Sequence, residues 1–280
     1  MPKNYENTFS TREIYKDTYC IVDNAMGTVN LFLLVGSERA LLIDSGYGHP
    51  KLLDTVRAIT DKEVICACTH GHVDHALGGY LFEKAYLHSE DFSLYDRHRA
   101  EAMIRSCGVD GIGAKPKKLL KTPGYLENVE LLANIERKKL LPLENVKCFD
   151  LGDRTVSWHL IPGHTPGSVA FVDEENHIAF DGDAAGNGVW LFMPEATELE
   201  EFARSIRNYK AFLDSKGVKH RYGGHAQQPL ATDHLIQLQA LCDETIKKQK
   251  AGKHTGFPMH FSVGNARLAL KGRTAMFIKP

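Results

Sequence analysis

The amino-acid sequence predicts an α/β fold on three features of its patterning: a β-β-α-β order within residues 18–68, a second group of strand-like runs from residue 155, and an amphipathic helix over 197–216. Residues 18–46 read as strands. Val29-Asn30-Leu31-Phe32-Leu33-Leu34-Val35 and Ala40-Leu41-Leu42-Ile43-Asp44 are apolar runs joined by Gly36-Ser37-Glu38-Arg39, which reads as a hairpin turn. Pro50 suits the first turn of a helix, where its missing N–H costs nothing, and Leu52, Leu53, Val56 and Ile59 keep helical spacing behind it. Val64-Ile65-Cys66-Ala67-Cys68 then reads as a buried strand.

Residues 89–145 change in texture, with a charged helical stretch over 91–105, a Gly/Lys/Pro loop over 108–118 and a helical run near 126–139. We expect a helical insertion in a single domain spanning 1–280. Its modest apolar content suits a lid or a dimer element, and a packed helical pair without a catalytic role is the alternative. Strands resume at 155–161, 168–172 and 177–180. The helix over 197–216 carries Leu199, Phe202, Ala203, Ile206, Tyr209, Phe212 and Leu213 on one stripe, and Thr197-x-x-Glu200 matches a capping box. A strand over 218–222, a helix over 233–250 and two strands around Leu268 and Phe277 complete the reading.

A formal net charge of −1 over 280 residues offers no general attraction for nucleic acid or an anionic membrane, which favours a small-molecule substrate. No apolar run approaches roughly 18 residues and the start lacks an apolar signal core, so the cytoplasm is the expected location. Six cysteines, Cys20, Cys66, Cys68, Cys107, Cys148 and Cys242, show no disulfide-like spacing and read as reduced thiols.

The densest chemistry lies in Thr69-His70-Gly71-His72-Val73-Asp74-His75, just beyond the end of a strand. His70 and His72, two apart, can point the same way from extended backbone. Asp74 and His75 are adjacent and diverge if His72 begins a helix, so the four side chains can serve two ions. Three further loops set metal-competent residues beside glycine: Pro162-Gly163-His164-Thr165-Pro166-Gly167, Asp181-Gly182-Asp183 and Gly223-Gly224-His225. Five histidines and two carboxylates suit two ions with water between them.

The motifs His-x-His-x-Asp-His, Gly-His-Thr-Pro-Gly, Gly-Asp and a late Gly-His, in this order, resemble the metallo-β-lactamase superfamily over most of the chain. The resemblance implies a four-layer αββα sandwich with metals at one edge of its two sheets. It implies that His70, His72 and His164 bind a first metal, that Asp74, His75 and His225 bind a second, and that Asp183 bridges them. Asp44 would support this site from behind. The ions implied are two divalent metals, zinc foremost, with iron or manganese as other occupants. The chemistry implied is hydrolysis of a small ester, thioester or lactone by metal-activated water, as in the glyoxalase II-like and lactonase-like branch, with Asp74 holding the nucleophile and relaying its proton.

Rival readings are an iron-dependent oxidoreductase of the persulfide dioxygenase type, a phosphodiesterase, and a metal-binding module without catalysis. Intact ligands for both metals argue against the first, and the lack of a basic, aromatic-rich block argues against the second. Lys247, Lys248, Lys250 and Lys253 read as solvated lysines at a helix end. Loop placement nominates Tyr47, Trp190 and His260 as substrate contacts, with Phe257, Tyr95 and Arg99 as further walls. A homodimer is one arrangement the insertion allows.

Overall fold

The computed structural model describes residues 8–24, 28–106, 140–261 and 264–280. They divide into two compact units, Met1–Thr155 and Val156–Pro280. The α/β prediction holds in each.

The first unit is built on a seven-stranded sheet whose order follows the chain. Its strands are β1 (Phe9–Tyr15), β2 (Thr18–Asp23), β3 (Val29–Val35), β4 (Arg39–Ile43), β5 (Glu63–Ala67), β6 (Ala85–Leu87) and β7 (Leu140–Pro142). Neighbours are antiparallel as far as β4 and parallel from β4 onward. The change falls where α1 (Lys51–Arg57) enters, because a parallel neighbour needs a crossover and a helix supplies it. Leu52 and Val56 of α1 are buried against Leu31, Leu33, Leu42 and Cys66. Beyond β5 come α2 (Val73–Ala76) and, after a 3-10 turn over Leu77–Leu81, strand β6; α3 (Phe92–Ser106) follows, and β8 (Cys148–Asp150) lies after β7.

Of the expected insertion over 89–145, the first part is α3 and the last residues are β7 and a 3-10 turn at Leu143–Asn145. The expected loop over 108–118, the helical run near 126–139 and Cys107 lie outside the described residues.

The second unit carries β9 (Thr155–Leu160), β10 (Val169–Asp173), β11 (Ile178–Gly182), β12 (Gly188–Leu191), α4 (Leu199–Ser215), β13 (His220–Gly223), β14 (Leu230–Ala231), α5 (His234–Lys250), β15 (Phe257–Phe261), β16 (Gly264–Lys271) and β17 (Thr274–Ile278). Here β9, β10 and β11 pair antiparallel, β13 joins β11 in parallel, and β14 pairs antiparallel with β13. A separate sheet runs β12-β17-β16-β15. Strands β12 and β15 were not anticipated, since four or five residues give too little periodicity to read. Phe202, Ile206, Tyr209 and Leu213 of α4 pack in one core with Leu235, Leu238 and Leu241 of α5. Full burial of side chains of this size is worth about 1.5–3 kcal/mol each, so the stripe alone explains why this helix forms where it was expected. Phe212, read as part of the stripe, is only partly buried and stacks on His159 at 4.4 Å.

The capping box at Thr197 does not form. The N-cap residue is Glu198, with no side-chain cap, and Thr197 instead donates its backbone N–H to Gly163 O at 2.9 Å. A strong apolar stripe holds the helix end through tertiary contacts, so the local cap is dispensable. Accordingly, Thr197→Ala should change unfolding free energy by less than about 0.5 kcal/mol in urea titration, against about 1 kcal/mol for a working cap.

Candidate metal centre

In the first unit the donors sit just past β5. Asp44, one residue beyond β4, is buried and takes φ of 62°, a left-handed conformation that few residue types other than glycine and Asx tolerate. Its Oδ1 accepts the Thr69 N–H at 2.6 Å, both its oxygens lie within 3.0 Å of Thr69 Oγ1, and its Oδ2 lies 2.7 Å from His75 Nδ1. A carboxylate at Nδ1 fixes the tautomer that carries its proton there and turns the Nε2 lone pair outward. Ser45 adds a second grip, its N–H and hydroxyl both reaching His75 O, at 2.7 and 3.0 Å.

His72 has extended backbone (φ −69°, ψ 151°) and is the N-cap residue of α2, as the spacing argument required. His70 Nε2 and His72 Nδ1 lie 3.1 Å apart, converging on one region. Asp74, on the first turn of α2, places Oδ2 3.7 Å from His75 Nε2 and keeps its side chain 21% exposed. The glycine between the two histidines is needed for close approach: a Cβ on Gly71 would stand 2.9 Å from Asp91 O, and the Gly71 N–H donates to Asp91 Oδ2 at 2.8 Å.

In the second unit His164 follows β9, Asp183 follows β11 and His225 follows β13. His164 Nδ1 is 2.8 Å from Trp190 O, which again turns Nε2 outward. His164 Nε2 and His225 Nε2 stand 3.8 and 3.4 Å from the same oxygen, Asp183 Oδ2. Behind Asp183 lies a fully buried pair, Arg221 and Asp181. Arg221 Nη1 meets Asp181 Oδ2 and also donates to Ala185 O at 3.0 Å, while Nη2 donates to His234 Nδ1 at 3.2 Å. Burial pushes the Asp181 carboxyl up, and the Arg221 guanidinium pulls it down by less. His234 is pushed down to about 4, first by burial and then by the Arg221 charge.

Sequence reasoning missed three contributors. His98, which belongs to no sequence motif, stacks on His72 with centroids 4.8 Å apart and planes 4° apart. Asp91 anchors Gly71, and Arg221 anchors Asp181. None has a local motif. Of the nominated substrate contacts, Tyr47 donates its N–H to Asp23 Oδ2 at 3.1 Å and packs against the first unit's core. Tyr95, proposed as a wall, is a core residue. Trp190 lies on strand β12 rather than a loop. His260 lies exposed on β15, with Nδ1 2.8 Å from Asn265 Oδ1. Cys66 and Cys68 are buried free thiols, and Lys248 pairs with Glu244 on the solvated end of α5.

The metallo-beta-lactamase superfamily model matches residues 25–241, and the chain belongs to that superfamily. It is 26% identical over 208 residues to acyl-coenzyme A thioesterase MBLAC2 of Gallus gallus, covering 70% of this chain and 72% of the relative. The Homo sapiens protein of that name is 23% identical over 209 residues, with the same coverage. Among solved structures, metallo-beta-lactamase family protein TTHA1429 from Thermus thermophilus superposes with a TM-score of 0.57 at 22% identity, covering 85% of this chain and 83% of that one. DIM-1 metallo-beta-lactamase gives 0.58 at 15% identity, covering 84% and 97%. The fold is therefore of the metallo-β-lactamase type. The chain is an enzyme of the superfamily's hydrolase class, with His and Asp groups able to hold metal. No helix among the described residues is long and apolar enough to cross a membrane.

Two stability tests follow from the buried pair. Arg221→Met leaves the Asp181 carboxyl buried without its partner and should cost about 3–5 kcal/mol in denaturant unfolding, most of it recovered by adding Asp181→Leu. His234 has a folded pKa below its unfolded value of about 6.5, so neutral histidine favours the folded state. Its contribution is present above about 6.5 and is lost as pH falls toward about 4. His234→Asn, which keeps an acceptor for Arg221 without titrating, should flatten the acid limb of the stability curve over that window.

Proposed function

We propose that this chain hydrolyses thioesters at a dinuclear metal centre formed by His70, His72 and His164 for one ion, Asp74, His75 and His225 for the other, and Asp183 between them. The observation that carries the dinuclear reading is the approach of His164 Nε2 and His225 Nε2 to a single oxygen of Asp183, which sets one carboxylate beside a candidate ligand of each ion. The donors suit the ions: His75 and His164 each have Nδ1 engaged by an acceptor, which orients Nε2 as a ligand. Imidazole and carboxylate with no thiolate fit zinc, and iron or manganese are accepted by the same set.

Two divalent ions held by these residues would supply the Lewis acidity that makes water nucleophilic at neutral pH and polarises a carbonyl. The rest falls to the chain. Asp74 is partly open to solvent and lies beside His75, so it can orient the attacking water and accept its proton. Asp44 keeps His75 in one tautomer while this happens. A thioester suits the site because the departing thiol has a pKa of about 8.5 and leaves as thiolate without a dedicated acid. The thioesterase names of the relatives in Gallus gallus and Homo sapiens support this substrate class over lactone or phosphodiester.

Metal analysis of the purified protein, coupled to a panel of thioester, lactone, aryl ester and phosphodiester substrates, tests the proposal. Two ions per chain and preferential thioester turnover are the expected result. Full turnover by stringently metal-free protein would end it, and stoichiometric iron with sulfur-dependent oxygen uptake would replace it with the dioxygenase reading. His72→Ala and Asp183→Ala should each lose activity together with bound metal. Asp44→Asn should weaken metal affinity by about 10–100-fold, as loss of an outer partner of a ligating histidine does.

A further inference from the structure

The sheet β12-β17-β16-β15 has two apolar faces, which a sheet with one face in the core does not need. Side chains alternate across a strand, so the register sorts them. Val189, Leu191, Ala269, Met276 and Ile278 point one way and are sealed in the second unit's core. On the other face Trp190 pairs with Phe277, Phe277 with Leu268, and Leu268 with Phe257, giving one continuous row across all four strands. Met259 and Phe261 flank the row on β15, and Leu270 flanks it on β16. This face carries no charged side chain, whereas a solvated sheet face ordinarily alternates to polar residues. Phe257 is 67% exposed and Leu270 55% exposed, so two of the large apolar residues most open to solvent lie on it.

The row begins behind His164, on the Nδ1 side of its ring. Trp190, its first residue, is the residue whose carbonyl lies 2.8 Å from His164 Nδ1. At this edge Val189 and Leu191 are buried in the core, while on the other face Trp190 is half-buried with its ring against Phe192 and Phe261, at 5.3 and 5.2 Å, and the row becomes exposed toward Phe257. From Trp190 to Phe257 the row spans three strand spacings, about 14 Å at roughly 4.8 Å each.

We propose that this face binds the acyl chain of the substrate, so that a thioester carbonyl near His164 runs its hydrocarbon tail along Trp190, Phe277, Leu268 and Phe257. This rests on the thioesterase reading above and adds to it the substrate class: acyl thioesters with long, unbranched apolar chains. Each methylene laid on the row leaves water, which raises kcat/KM by up to about fourfold per methylene when fully buried. Coenzyme A or another thiol carrier makes no part of this contact.

The test compares kcat/KM for acetyl-, hexanoyl- and dodecanoyl-coenzyme A in the metal-loaded protein, and calorimetric binding of S-dodecyl-coenzyme A, which cannot be hydrolysed, to the metal-free protein. The wild type should prefer the longest chain. Phe257→Asp, alone and combined with Leu268→Asp, should lower the dodecanoyl-to-acetyl ratio by at least about tenfold and weaken S-dodecyl-coenzyme A binding in step. Ile236→Asp, at a residue exposed on α5, should leave the ratio unchanged. A flat chain-length profile in the wild type overturns the proposal, as does a steep one that Phe257→Asp leaves intact. Conversion of a dimer to a monomer by Phe257→Asp with an unchanged ratio assigns the face to a second copy of the chain and also overturns it. If no acyl-coenzyme A is turned over, the thioesterase reading fails, and the binding measurement still decides the face: affinity for the dodecyl chain that Phe257→Asp removes supports it, and no affinity refutes it.

Discussion

The Asp44 carboxylate is the constraint on which the histidine-rich loop depends. The loop from Thr69 to His75 ends in a helix of only four residues, too short to hold its own shape, since helix nucleation costs more than one turn returns. A buried carboxylate must find hydrogen bonds or remain neutral. Asp44 finds them in the Thr69 N–H, the Thr69 hydroxyl and His75 Nδ1, and so grips both ends of the loop at once. The left-handed backbone at Asp44 is the local strain that this placement requires. Glycine then lets neighbours close in: a Cβ at Gly78 would stand 2.1 Å from Ser45 O.

The second unit solves the same problem with the opposite charge. Asp183 and His225 follow two neighbouring parallel strands, and Arg221 lies beneath them, joining Asp181 at the end of β11, the carbonyl of Ala185 after it, and His234 at the start of α5. A buried guanidinium with several acceptors is costly to create and costlier to leave half-paired. It therefore ties the loop of one donor to the strand of another. His164 is oriented differently, by the backbone carbonyl of Trp190 at its Nδ1.

Function was legible in proportion to how local its signals are. The candidate donors stand out because metal chemistry is written in residue type, and His-x-His-x-Asp-His is dense enough to read without a fold. The helix α4 and the hairpin β3-β4 were legible for the same reason, each carrying its own periodicity. Partners were not. Asp91 lies 20 positions from Gly71, Trp190 26 from His164, and Arg221 40 from Asp181. One of these partners acts through a backbone carbonyl, which has no signature in sequence. Trp190 and His260 were nominated as loop residues because β12 and β15 are short. Register shows that they belong to opposite faces of one sheet, with Trp190 on the apolar side and His260 on the side of Arg267 and Asn265.

By itself, the sequence determined the α/β class and the superfamily and nominated the candidate donors, because ligand chemistry and hydrophobic period reside in residue identity and near spacing. The tertiary structure decided which nitrogen of His75 and of His164 faces outward, which buried ion or backbone carbonyl steadies each candidate donor loop, and that one sheet offers a second apolar face on the Trp190 side. Those are choices made by contacts between residues far apart in the chain. A histidine's tautomer and a strand's exposed side follow from what it meets after folding, and no local pattern encodes them.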